Sequence, residues 1–512
     1  MRTKKYKNRI NISTLKERSF LDQPFSKRLT KRLRKGGSVI ASGGFGCIFN
    51  PAIKCKNITN KTNKTNITNK TNKNINMVSK LMKTKHAKNE YKEITKFKPL
   101  LQKIPNYENF FLIEGFSICQ PTTLSNTDLQ NFNKKCSALK KMDIDENNIN
   151  KHLNKLMALN MPFGGIDIDE FIENNATNIN LMKSLNNCLI NLLEKGIIPM
   201  NRLGVFHCDL KSSNILVNQE DTGLTTKIID WGLSTTYKPN NPIPDILLRR
   251  PLQYNVPFSN ILFNSTFHKM YSIFLNKLKN DNKQQTYNNT YTFTINYILE
   301  WINERGQGHI KTISKLYSII FDHPNIDLNV SKLHIKYEIA FHYIFKYITE
   351  ILMTFTHDGD FDTIQYFNQV FMKNVDIWGL VLSYIPFLEY IHEFPNNSIQ
   401  KINKYFKGLI MILLNSSDKP IPIKFLTNTL THFNKIIYYY KHNLSVSSIN
   451  STSESALSHS HSQSRSHSHE IIESDKHLSN TEKRKKRKSE HIFIVKTLKN
   501  IISDHQSKQQ QV

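Results

Sequence analysis

The segment His207-Cys208-Asp209-Leu210-Lys211-Ser212-Ser213-Asn214 combines an acid, a cation and an amide within a few positions. That combination suits group transfer. Asp209 can orient or accept the proton of an attacking hydroxyl, Lys211 can stabilise charge on a phosphoryl group in transit, and Asn214 can offer an amide oxygen to a divalent cation. His207 suits a holding role, through packing and hydrogen bonding, better than the role of a base.

The flanking sequence supports one compact arrangement of these groups. Downstream, Ile215-Leu216-Val217 and Lys227-Ile228-Ile229 read as a β pair around the turn-prone Asp221-Thr222-Gly223. Asp230-Trp231-Gly232 leaves the second strand, so a single hairpin can return the Asp230 carboxylate to Asp209 and Asn214, where it suits a Mg²⁺ ion. Upstream, Leu181, Leu185, Leu189 and Leu192 predict a helix ending before Gly196.

Nearer the amino terminus, Ala41-Ser42-Gly43-Gly44-Phe45-Gly46-Cys47-Ile48 is a small-residue turn between two β-compatible runs over Val39–Phe49. Missing side chains there let backbone N–H groups approach phosphates, but no G-K-[ST] follows, so it is not a Walker loop. Lys80, in the apolar run Met77–Met82, can neutralise inner phosphates if a carboxylate fixes its direction. Two carboxylates compete for that task, Glu90 and Glu93, on a helix predicted from Tyr91, Ile94 and Phe97 and stopped at Pro99.

Taken in this order, the motifs resemble those of the eukaryotic-like protein kinase superfamily, especially the divergent serine/threonine kinases of large DNA viruses. Ala41 to Ile48 is similar to the glycine-rich loop, Lys80 to the lysine of V-A-I-K, His207 to Asn214 to H-R-D-L-K-x-x-N, and Asp230 to Gly232 to D-F-G. The resemblance runs over approximately Val39 to Ile421. It implies an α+β, bilobal fold with a small β-rich amino-terminal lobe and a larger helical carboxyl-terminal lobe, interrupted by insertions. It also implies transfer of the ATP γ-phosphate to serine or threonine hydroxyls of a protein substrate. Asp209 and Lys211 would be catalytic, and Asn214 and Asp230 would hold Mg²⁺, with Mn²⁺ as a substitute. Gly43, Gly44, Phe45, Gly46, Ile48, Lys80 and Glu90 would contact ATP, with Met161 and Phe163 in the hinge Met161-Pro162-Phe163-Gly164-Gly165 beside adenine. Asp376-Ile377-Trp378-Gly379 resembles the central helix whose aspartate supports the catalytic-loop backbone.

The departures from the family pattern are specific. Cys208 stands where many members have the arginine that pairs with an activation-loop phosphate, so phosphorylation there need not switch the enzyme on. No A-P-E follows Asp230; Arg250-Pro251-Leu252-Gln253-Tyr254-Asn255-Val256-Pro257-Phe258-Ser259 stands in its place. These departures keep two other readings open, a kinase-fold scaffold or weakly active pseudokinase, and a small-molecule phosphotransferase.

Within the 512 residues composition sets off a basic arm over 1–35, and the resemblance implies an amino-terminal lobe over 36–160 and a carboxyl-terminal lobe over 161–446. The first lobe carries an Asn-Lys-Thr-rich insert at 57–76, the second a large insert at about 260–370. A Ser/His-rich and basic tail over 447–512 has little to bury. With 70 Lys and Arg against 41 Asp and Glu, the net charge of +29 favours non-specific anionic partners through the basic termini. No apolar run reaches the roughly 20 residues of a membrane-spanning helix, and the basic amino terminus lacks a signal-peptide core. An intracellular site is therefore expected, host cytoplasm or virion for a viral protein, with Lys483 to Lys488 compatible with a nuclear address. The six cysteines lack C-x-x-C spacing and suggest neither a disulfide framework nor a zinc site.

Overall fold

The computed structural model describes residues 38–43, 45–56, 76–221, 223–239, 241–321, 330–391, 396–450 and 494–495. The basic arm at 1–35, Gly44, nearly all of the 57–76 insert and most of the 447–512 tail lie outside the described residues.

The fold is α+β, with an antiparallel five-stranded sheet at the amino-terminal end and a larger helical region after it. Strands β1 (Ser38–Ser42), β2 (Gly46–Asn50) and β3 (Met77–Lys83) lead into helix α1 (Thr84–Leu101). After these come β4 (Ser117–Cys119) and β5 (Leu156–Pro162), giving the spatial order β1-β2-β3-β5-β4. Side chains alternate across a strand, and this alternation divides β3 between two cores. Val78 joins the main cluster with α1 residues Ile94 and Phe97, whereas Leu81 joins a smaller cluster with Phe49, Phe132 and Leu139 on the opposite face. Lys80, two positions from Val78, shares the α1 side.

Helix α1 continues through Pro99, where a stop was expected. The ring falls in the last turn, so the missing N–H removes one backbone bond close to an end that is already losing partners. The leucine-faced helix likewise does not stop before Gly196. It runs as Ile179–Asn191 and passes through a π-helical turn, Leu192–Ile197, into Ile198–Arg202. Gly196 serves packing there, because a Cβ would lie 3.1 Å from Phe110.

Strands β6 (Ile166–Asp167), β7 (Val205–Phe206), β8 (Ile215–Glu220), β9 (Gly223–Ile228) and β10 (Thr235–Thr236) form two small sheets in the helical region. The expected hairpin is β8–β9, in register from Ile215↔Ile228 to Glu220↔Gly223. The region expected as a large insert folds into helices Ser265–Asn280, Tyr287–Arg305, Ile310–Ile320 and Val330–Phe355. Its buried Phe267, Tyr297, Trp301 and Tyr347 share one continuous core with Trp378 on the helix Met372–Leu382, so this region is integral to the core. The helix Ile423–Asn450 extends past the expected start of the tail, and Ile494 is fully buried in the main core. Among the described residues no helix is long and apolar enough to cross a membrane.

The expectation of no disulfide framework is overturned. Cys47 pairs with Cys136 and Cys55 with Cys119, at Cα separations of 5.3 and 5.7 Å. The sequence separations are 89 and 64 residues, so local spacing carried no trace of the pairing. One bridge ties β2 to the junction of the short helices Phe132–Lys135 and Ser137–Lys140, and the other ties the segment after β2 to the end of β4.

Candidate active site

Lys80 stands on β3 opposite Ile48 and Leu159 in the neighbouring strands. Its ammonium donates to both oxygens of Glu90, at 2.9 and 2.8 Å, and lies 3.5 Å from Asp230 Oδ1. Glu90 is therefore the partner; Glu93 pairs with Lys96 at 3.7 Å on the surface. Burial disfavours the charge on Lys80, but Asp230 and Glu90 outweigh it and hold its pKa above the ordinary lysine value. Lys80 in turn holds the Asp230 pKa down against burial. For Glu90 burial dominates even beside Lys80 and pushes the pKa up.

The turn between β1 and β2 lies over this lysine. A Cβ on Gly43 would sit 3.8 Å from Lys80 Cε, and Gly43 N–H donates to Gly46 O at 2.9 Å. Gly46 admits no side chain, since a Cβ would lie 2.6 Å from Leu81 O. Phe45 is exposed and stacks on His86. At the far end of β5, Met161 is buried opposite Val78, while Phe163 N–H donates to Asn76 O at 2.8 Å. That N–H is thus already engaged. Gly164 packs over Leu216, whose Cδ1 a Cβ would approach to 2.8 Å.

The segment after β7 holds Asp209 in a dense polar cage. Lys211 Nζ lies 3.0 Å from Asp209 Oδ2, and the Asn214 amide donates to Asp209 O at 2.8 Å and to Oδ2 at 3.2 Å. Asn255 donates to Oδ1 at 2.9 Å and to Leu210 O at 3.1 Å. From below, Asp376 accepts the backbone N–H groups of His207 at 2.9 Å and Cys208 at 2.8 Å. Its carboxylate is fully buried, and burial raises its pKa. Cys208 itself adopts a left-handed backbone with φ 59°.

Hydrogen bonds through Ile229 join the two groups of side chains. His207 Nε2 meets Ile229 O at 2.9 Å, Ile229 N–H donates to Asn214 O at 3.0 Å, and the His207 ring packs edgewise on Trp231. Lys80, Glu90, Asp209 and Asn214 are each less than a tenth exposed, whereas the Asp230 side chain is 28 % exposed. Two shallow surface hollows, one beside Asn187 and Thr431 and one beside Phe321 and Lys407, are lined by none of these groups.

Asp230 and Asn214 supply carboxylate and amide oxygens, the donors that a hard divalent cation prefers. Among the described residues no cluster of three or more His, Cys, Asp and Glu is arranged to hold a metal. Arg250 and Asn255, which belong to none of the motifs, both reach the Asp209 segment. Their only sequence signal was the run from Arg250 to Ser259. Set against known proteins, the chain matches no protein-family model and no curated sequence.

Proposed function

We propose that this chain is a serine/threonine protein kinase that transfers the γ-phosphate of ATP to protein hydroxyls. One observation carries the reading: the bidentate Lys80–Glu90 pair, with Asp230 3.5 Å from the same ammonium, is joined through His207 and Ile229 to the segment bearing Asp209, Lys211 and Asn214. A buried lysine between two carboxylates is a costly arrangement for stability alone, and it supports a role in holding polyphosphate.

In this reading Lys80, aimed by Glu90, binds the inner phosphates of ATP under the Gly43–Ile48 turn. Asp209 orients the acceptor hydroxyl and takes up its proton, and Lys211 balances charge on the transferred group. Alignment and charge stabilisation do most of the work, because the carboxylate is a weak base. Asp230 and Asn214 would hold Mg²⁺, which would supply positive charge beside the phosphates. Two protein oxygens suffice for this ion, which keeps waters and substrate phosphates as its other ligands. The N–H of Phe163 is spent on Asn76, so adenine would be met by the remaining backbone of 161–165 above Leu216.

The test is transfer of radiolabelled phosphate from Mg-ATP to casein or histone by the purified full chain. Wild-type protein should label serine or threonine, and Asp209→Asn should lose transfer while still binding ATP. Undiminished transfer by that variant would remove Asp209 from its role, and an inert wild-type protein would sink the enzymatic reading.

A further inference from the structure

This inference rests on the kinase reading and concerns what orders its catalytic segment. Arg250 is buried, at 7 % exposure, and reaches back to Cys208, which stands where the kinase pattern has its arginine. Its Nη1 donates to Cys208 O at 2.8 Å, and its Nη2 lies 3.8 Å from Asp209 Oδ1 with no hydrogen-bond partner among the described residues. The backbone at 250 is itself anchored, since Trp301 Nε1 donates to Arg250 O at 3.2 Å. A guanidinium that merely filled space here would be a poor choice, because burying the ion is costly and one of its nitrogens is left unpaired.

We infer that Arg250 is a positioning residue for Asp209, supplying from the far end of the following segment the cation that position 208 does not carry. Its bond to Cys208 O fixes the backbone just before Asp209. The Nη2 charge steers Oδ1 towards Asn255, leaving Oδ2 to Lys211 and Asn214.

The same arrangement removes the need for an added phosphate. Between Gly232 and Arg250 the hydroxyl-bearing residues are Ser234, Thr235, Thr236 and Tyr237. Ser234 donates to His207 O at 3.2 Å, Tyr237 donates to Asn368 at 2.6 Å, and Thr235 is buried where β10 pairs with β7. Three of the four hydroxyl residues are therefore built into the docked segment, and the enzyme should work without phosphorylation there.

The test uses the full chain as wild type, Arg250→Lys, Arg250→Gln and Arg250→Ala. A displaced base should lower kcat by about 10²-fold in Arg250→Gln while the KM for ATP stays within about threefold. Arg250→Lys should retain an intermediate kcat. Methylguanidinium added to Arg250→Ala should restore transfer, and it should do nothing for Asp209→Asn. Phosphatase-treated wild type should keep its rate. A kcat for Arg250→Gln within about threefold of wild type, or an Arg250→Ala enzyme that folds but is not rescued, overturns the positioning role; loss of rate on phosphatase treatment overturns the independence from phosphate. Amide hydrogen exchange over 205–214 provides an arm that needs no activity: it should quicken in Arg250→Gln and stay unchanged in the five-stranded sheet. If wild type transfers no phosphate the kinase reading fails by itself, whereas unchanged exchange over 205–214 overturns the inference about Arg250.

Discussion

Lys80 and Glu90 form a two-pronged ion pair that fastens the third strand of the sheet to the helix behind it, with Nζ 2.9 and 2.8 Å from the two carboxylate oxygens. Both partners are nearly inaccessible to water. Asp230 supplies a second negative charge to the same ammonium and links this pair to the helical region. Two consecutive elements, β3 and α1, and the much later segment at Asp230 thereby share one cation.

Removing one partner of a buried pair leaves the other charge poorly compensated. Glu90→Gln should therefore destabilise the fold by about 3 kcal/mol, near the lower end of the range for such changes because Asp230 still faces Lys80. Chemical denaturation gives the stability, and phosphate transfer should fall with it. A variant as stable as wild type would mean that the pair contributes no net stability.

Asp376 accepts two backbone N–H groups in the buried floor under the His207–Asn214 segment. Asp376→Asn keeps the shape but replaces one acceptor oxygen by a donor, so one of those N–H groups loses its partner. A cost of about 2 kcal/mol is expected, as for a buried donor left unsatisfied. Thermal melting measures it, and hydrogen exchange should localise the loosening to His207 and Cys208.

What the sequence disclosed, and what it hid, follows from the range of the interactions. The β8–β9 hairpin and its flanking Asp209, Asn214 and Asp230 were legible because short spacing, turn residues and polar identity lie within one local segment. The choice of Glu90 over Glu93 was also available in principle. Glu90, Ile94, Phe97 and Leu101 follow one buried face of α1, and Glu93 falls off it. Arg250 and Asn255 were hidden because their partners lie 42 and 46 residues earlier, and no local periodicity records a returning chain. The run past Pro99 shows the opposite failure, a sound local rule outweighed by the packing of Phe97 and Leu101.

Asp169 gives a pH signature near the same site. Burial, with the neighbouring charges of Asp167 and Glu389, raises its pKa from 3.8 to about 6, and a hydrogen bond from Ser212 offsets part of the effect. The folded protein thus holds this proton more tightly than the unfolded chain, and its contribution to stability is present below 3.8 and lost as pH rises through about 6. Asp169→Asn should melt higher than wild type above that window, and the difference should close at acid pH. Parallel melting curves for the two proteins across the range would contradict the assignment.

The two disulfides lie in the part of the chain that carries the glycine turn. Of the six cysteines, Cys188 and Cys208 are free. Alkylation of the native protein should label Cys188, which is partly exposed, ahead of Cys208, whose thiol is fully buried and pushed up in pKa by that burial. Denaturation without reductant should add only Cys208, and reduction should release the remaining four. Because each bridge closes a long loop, with separations of 89 and 64 residues, reduction should lower stability by roughly 2–4 kcal/mol per bridge. The change should concentrate in the sheet, since Cys47 borders Gly46 and the Asn160 amide donates to both Cys55 and Cys119 sulfurs at 3.3 and 3.5 Å. Six thiols titrating together in unreduced, denatured protein would show that the bridges do not form in the isolated chain, and the sheet would then be held by its packing alone.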